Sequence, residues 1–171
     1  MKEYCLGKLA AIITQNAHCF FDRELAPYGI GWGQQFLLLR IHENEGSSIL
    51  ELAKRGFLDQ STTTRALQKL EQLGYIRYEV NPGDRRIRQV YTTEKAKPVI
   101  EAALMALQEW ERILIQNMAP EEACLTRRLM ERMARNAFET LHGEEGTAFE
   151  NMTSEENENN VRNNKINRNE D

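Results

Sequence analysis

Residues Ile49 to Arg88 carry two short helical patterns and then two strand patterns, the strands joined by Asn81-Pro82-Gly83-Asp84-Arg85-Arg86. A helix pair running straight into a hairpin leaves few folds open, and the simplest is a helix-turn-helix with a basic β-wing. In that arrangement one helix can present side chains to a DNA major groove while the hairpin reaches the neighbouring backbone or minor groove. The local signals agree. Ser47 or Ser48 can cap a short helix over Ile49–Arg55, whose Ile49, Leu52 and Ala53 face one way, and Gly56 supplies the turn. Asp59 is an N-cap candidate for a longer helix, Gln60–Leu73, with the inward stripe Thr63, Ala66, Leu67, Leu70 and Leu73. Gly74 can take the left-handed conformation that ends such a helix. Tyr75–Val80 and Ile87–Tyr91 are rich in β-branched and aromatic residues around a Pro-Gly turn, which predicts a hairpin.

Upstream, Leu6, Leu9, Ala10, Ile13, Ala17, Phe20 and Phe21 recur mostly at three- and four-residue steps, predicting an amphipathic first helix ended by Pro27-Tyr28-Gly29. A second helix is expected over Gln34–Glu43, stopped by Asn44-Glu45-Gly46. Downstream, Thr93 can cap a fifth helix from Glu94 through Gln116, with Pro98 tolerated near its first turn. Ala119-Pro120-Glu121-Glu122 restarts a sixth helix that runs to His142-Gly143. The fold class is therefore mainly α with a small β-hairpin wing. One domain is expected over residues 1–143, with the helix-turn-helix near 48–74 and the wing near 75–92.

The net charge of -4 does not announce a partner for nucleic acid, but charge is unevenly spread and a polyanion meets the local value. Between Ser48 and Lys97 ten bases and six acids give +4, whereas from Gly143 onward eight acids and three bases give -5. Residues 144–171 form an acidic tail, and Asn151–Asp171 holds only Met152, Val161 and Ile166 as large apolar residues. So little apolar surface cannot offset the entropy of ordering, so disorder is expected there. Cys5, Cys19 and Cys124 lack metal-ligand spacing and are too few for a disulfide framework. Neither a cofactor nor a metal motif appears, and no apolar run approaches the ~20 residues that span a bilayer. A cytoplasmic location, away from membranes, is the expectation.

With Thr63, Ala66, Leu67 and Leu70 turned inward, Gln60, Ser61, Thr62, Thr64 and Arg65 are left near the exposed start of the fourth helix. Hydroxyls and backbone N–H groups there suit phosphate oxygens, while Gln60 and Arg65 are long enough to reach adenine and guanine edges. Read blandly, the same residues make a capped surface helix whose hydroxyls bind water. Arg85 and Arg86 at the turn tip shift the balance, because two guanidiniums repel one another there for no structural gain. Asp84 can orient one and leave the other for a narrow minor groove or a phosphate.

Leu52-Ala53-Lys54-Arg55, Leu58-Asp59-Gln60-Ser61-Thr62, Arg65, Leu70-Glu71, Gly74-Tyr75-Ile76, Asp84-Arg85-Arg86 and Thr93-Glu94-Lys95 together resemble MarR-family transcriptional regulators. The resemblance implies a winged-helix homodimer on a pseudo-palindromic operator in double-stranded DNA, usually a repressor and often released by a small phenolic or similar effector. It implies that Gln60, Ser61, Thr62, Thr64 and Arg65 face the major groove and that Arg85 or Arg86 enters the minor groove, oriented by Asp84. It also implies that the first and sixth helices, with the end of the fifth, are dimerisation helices interleaved across a two-fold axis. Thr63, Thr92 and Ala96 depart from the pattern, standing where an aliphatic residue, a leucine and a glycine are usual. Thr63 should weaken packing slightly, and the other two put the wing's anchoring in question.

Family effector pockets lie between the dimer helices and the winged domain, which makes His18, Phe20, Trp32 and Phe36 candidate lining residues; ordinary core packing is the plainer reading. Cys5 and Cys19 fall on the first helix, where some relatives carry a peroxide-sensing cysteine, but no cationic cluster lies near either to activate it. An enzyme is disfavoured: no nucleophile–base pair or phosphate loop appears, and His18 and Cys19 point apart as helix neighbours. The remaining rival is a protein-binding winged helix that has lost DNA contact, against which Arg65, Arg85 and Arg86 speak.

Overall fold

In the computed structural model, which describes residues 5–54 and 60–142, helix α1 spans Leu6–Glu24 and α2 Trp32–Glu43. Strand β1 is Ser47–Ser48, α3 Ile49–Lys54, α4 Gln60–Gln72, β2 Ile76–Val80, β3 Arg88–Thr92, α5 Lys97–Leu114 and α6 Pro120–His142. The sheet order is β1-β3-β2, both pairs antiparallel. The turn at Gly56, the cap at Asp59 and the acidic tail lie outside the described residues. The chain divides into two compact units after Leu114.

The two-residue strand β1 turns the expected hairpin into a three-stranded sheet, pairing Ser47 with Val90 and Ser48 with Gln89. Ser48 also caps α3: its hydroxyl accepts the Glu51 N–H at 3.2 Å while the Glu51 carboxylate accepts the Ser48 N–H at 2.7 Å. This reciprocal box satisfies two donors that the helix start leaves free.

α2 starts at Trp32, two residues before the expected Gln34, because α1 caps it. The Asp22 carboxylate accepts the Trp32 N–H at 2.9 Å, and Gln34 Oε1 accepts the Gly31 N–H at 3.0 Å. A Cβ on Gly31 would fall on the Asp22 carboxylate, so the space that an ordinary N-cap side chain fills is already taken from α1.

α4 closes in a Schellman motif. Gly74 sits at φ 74° and donates to the Glu71 carbonyl at 2.8 Å, and Tyr75 N–H reaches the Leu70 carbonyl at 2.9 Å. Lys95 donates to the Leu73 carbonyl at 2.7 Å and lies over the Tyr75 ring, which fastens the start of α5 to the end of α4. Thr93 does not cap α5. It is extended, and its hydroxyl donates to the Gly74 carbonyl at 2.7 Å, so a 3-10 turn over Glu94–Ala96 precedes α5.

The core is centred on α2. Leu38 and Ile41 are fully buried with Leu67 and Leu70 of α4, Val90 of β3 and Val99 of α5. That burial fixes α4 and the sheet on one support. A second cluster joins Ala17, Phe20 and Phe21 of α1 to Ala106 of α5. Gln35 is also fully buried, and among the described residues neither its carboxamide nitrogen nor its oxygen has a hydrogen-bond partner.

Candidate nucleic-acid interface

Two elements carry the residues expected to face a duplex, and packing determines what each leaves outside. On α4, Thr63, Ala66, Leu67 and Leu70 are buried, at 2% exposure or less. Ser61, Thr64 and Arg65 are exposed and Thr62 is half-buried, while the Gln60 side chain lies outside the described residues. The thirteen-residue helix therefore turns hydroxyls and a guanidinium outward near its N-terminus, where its dipole favours anions.

The wing is built tightly around its turn. Asn81 Oδ1 accepts N–H bonds from Gly83 at 2.7 Å and Asp84 at 3.3 Å, and Asn81 N–H pairs with the Ile87 carbonyl at 3.0 Å. Asp84 holds the main chain rather than a guanidinium: its carboxylate accepts the Arg86 N–H at 2.9 Å. It orients the tip through the backbone. The Arg85 and Arg86 side chains are both exposed and without an ion pair among the described residues.

The wing's other cations are held against the sheet. Arg77 pairs with Glu79 and lies 4.9 Å from the centre of the Tyr91 ring, its cross-strand partner. Arg88 lies 5.4 Å from the Tyr78 ring. Burial raises the Tyr78 phenol above its ordinary pKa, helped by Glu71 and opposed by Arg88. Thr92, one of the departures from the family pattern, is well anchored. The Glu45 carboxylate takes both its N–H, at 3.0 Å, and its hydroxyl. Gln89 Nε2 reaches the Gly46 carbonyl at 2.9 Å beside it. Ala96, another departure, is fully buried, so its extra methyl is accommodated in the core.

The four candidate effector residues divide. His18, Trp32 and Phe36 form one aromatic chain, with ring centres 4.7 Å apart for His18–Trp32 and 4.6 Å for Trp32–Phe36. Phe20 turns away and stacks on Trp110 at 5.3 Å. It lines a cavity of about 690 Å³ together with Glu24, Tyr28, Met105, Glu109 and Arg112. Phe21 bridges the two groups. Cys5, Cys19 and Cys124 are all exposed.

Exposed apolar residues recur at helical spacing on the terminal helices, Leu6, Leu9 and Ile12 on α1 and Leu125, Leu129 and Met133 on α6, and others lie on α3, the wing and α5. No helix among the described residues is long and apolar enough to cross a membrane, and no three of their His, Cys, Asp and Glu side chains cluster as metal ligands would.

The sequence model of the MarR family matches residues 28–87, which covers α2 through the wing turn. A curated relative, the HTH-type transcriptional regulator BilQ of Clostridioides difficile, is 27% identical over 117 residues, 68% of this chain and 79% of that protein. A crystal structure of MarR is 30% identical, with a TM-score of 0.72 over 82% of this chain and 95% of that one. A mutant MarR from E. coli complexed with operator DNA shares the fold at 24% identity, with a TM-score of 0.67 over 75% of this chain and 92% of that one.

Proposed function

This chain belongs to the MarR family of winged-helix, DNA-binding transcriptional regulators, and on that premise we propose that it is a homodimeric, effector-responsive repressor of a pseudo-palindromic operator. One observation carries the reading. Among the described residues, the side chains that α4 turns outward at its start are polar or cationic, and the wing turn carries two guanidiniums without an ion pair. In this reading Ser61, Thr62 and Thr64 position the helix on phosphates, and Gln60 and Arg65 read base edges in the major groove. Arg85 or Arg86 enters the minor groove, with Asp84 holding the turn in shape.

The apolar stripes of α1 and α6 support a homodimer, since a monomer would leave them in water. Two copies of α4 then meet successive major grooves. The aromatic chain His18–Trp32–Phe36 lies at the junction of α1 and α2, where a flat effector could bias the spacing of the two copies. In this reading the protein works in the cytoplasm, where a bacterial chromosome lies.

The test is a gel shift of the purified protein on its own upstream DNA, repeated with aromatic carboxylates and with peroxide. Retarded DNA that is released by a ligand supports the full reading. Retardation indifferent to every ligand removes the effector claim, and release by peroxide alone points to the exposed Cys5 or Cys19.

A further inference from the structure

The two faces of the wing treat their cations differently, although each lays one arginine over one tyrosine. On one face Arg77 lies over Tyr91 and is also paired with Glu79, so its charge is answered. On the other, Arg88 lies 5.4 Å from the Tyr78 ring and has no ion pair among the described residues. The register gives this second face its direction. Ile76, Tyr78 and Val80 of β2 alternate onto the side that Val90 and Arg88 of β3 share, with Tyr78 opposite Val90 and Val80 opposite Arg88. Ile76 and Val90 are buried in the core that also holds Leu67 and Leu70 of α4, so the face turns toward α4. Glu71 of α4 is near enough to add to the upward shift that burial begins at the Tyr78 phenol. Beyond the core the same row leaves Val80 55% exposed, beside the exposed Arg88. A half-buried ring, an aliphatic side chain and an unpaired guanidinium in one row suit a sugar–phosphate chain: C–H surface meets deoxyribose while the cation meets phosphate.

A duplex that takes α4 in a major groove and the wing tip in the next minor groove carries one backbone strand between them, and that strand crosses this face. Resting on the DNA-binding reading, we propose that Arg88 grips the phosphate lying between the two grooves, with Tyr78 as its positioning residue and Val80 against the adjoining deoxyribose. The contact is separate from those of Arg65 and of the turn tip. Held over the Tyr78 ring before DNA arrives, the guanidinium has less rotamer freedom to lose on binding. A phosphate carries no sequence, so this contact fixes how α4 and the wing sit on the duplex and strengthens every duplex equally.

The experiment places single neutral methylphosphonates along each strand of the upstream duplex and measures binding of the full-length parent and its variants. For the parent, neutralising one phosphate between the major-groove and minor-groove contacts should cost about fivefold in affinity at physiological salt. Arg88→Ala should lose about fivefold on this duplex and on random DNA alike, with a salt slope lower by about 1, and should no longer respond to that methylphosphonate. Arg88→Lys keeps the charge and should keep the slope. Tyr78→Leu should blunt the response to the same phosphate and Tyr78→Phe should restore it, because the ring holds the guanidinium. A parent that retards no duplex overturns the DNA reading together with this one. A parent that binds, with every phosphate response intact in Arg88→Ala, overturns this one alone, even where the variant binds weakly because its wing is unsettled.

Discussion

Moving the cap of α2 from α1 to its own N-cap position tests the packing logic most sharply. Asp22→Ala removes the acceptor of the Trp32 N–H and a carboxylate at the positive end of the helix. Cap loss costs about 1 kcal/mol and the dipole term ~0.3–1 kcal/mol, so the expected loss is about 1–2 kcal/mol. Gly31→Ser alone puts a Cβ where the carboxylate sits, evicting Asp22 and straining the α1–α2 corner for about 1–2 kcal/mol. Gly31 has φ -146° and ψ -162°, an extended conformation other residues adopt, so the obstacle is space. In the double variant the space is vacated and the serine hydroxyl caps the helix. Its stability should return to within about 0.5 kcal/mol of the parent, a coupling of about 2 kcal/mol between the sites. Urea melts at one fixed protein concentration measure this, since a dimer's midpoint moves with concentration. A double variant whose loss equals the sum of the two singles would refute the cross-helix cap.

Gln35→Leu should stabilise the fold by about 1–3 kcal/mol, read as a higher urea midpoint at unchanged slope, because it removes a buried carboxamide with no partner on either polar atom. A lower midpoint would mean that the carboxamide is satisfied in solution. Tyr78 holds its proton more tightly folded than unfolded, so that contribution is present below the ordinary tyrosine range near ~10 and is lost as pH rises through the raised folded value. Tyr78→Phe should accordingly flatten the alkaline fall in melting temperature; an unchanged fall assigns it elsewhere. Glu45→Ala should speed hydrogen exchange at the Thr92 amide by releasing both bonds that clamp β3, while the amide of Glu79, which faces Gln89 on the β2–β3 ladder, stays protected.

Much of this architecture was legible because its signals are local. The α4 stripe, the Gly74 stop and the Pro-Gly wing turn each depend on residues within a few positions of one another, and each appears where the spacing put it, with ends shifted by one or two residues. What was missed depends on distant partners. β1 is two serines whose identity as a strand comes from Gln89 and Val90, some forty residues later. Asp22 reads as a surface acid on α1 until α2 folds back to meet it. Thr93 has the composition of a cap, yet the Gly74 carbonyl claims its hydroxyl. Thr92 looked like a weakened anchor because Glu45 is invisible from its neighbourhood. In α4 and the wing, the exposure of Ser61, Thr64 and Arg65 followed from periodicity and that of Arg85 and Arg86 from their place at the turn, but the role of Asp84 did not. A carboxylate beside two arginines invites an ion pair, and only the turn geometry gives it to the backbone instead.

The central claim is that α4 and the wing tip grip one duplex through phosphate and groove contacts. Its most direct test is the salt dependence of operator binding for the parent, Arg65→Ala, Arg85→Ala and Arg86→Ala. For the parent, log K should fall linearly with log salt. Loss of a wing guanidinium that meets phosphate should reduce the slope by about 1, and Arg65→Ala should relax discrimination at one base pair by about 1–3 kcal/mol. Binding that is insensitive to salt, or slopes and sequence preference left unchanged by all three substitutions, would contradict it.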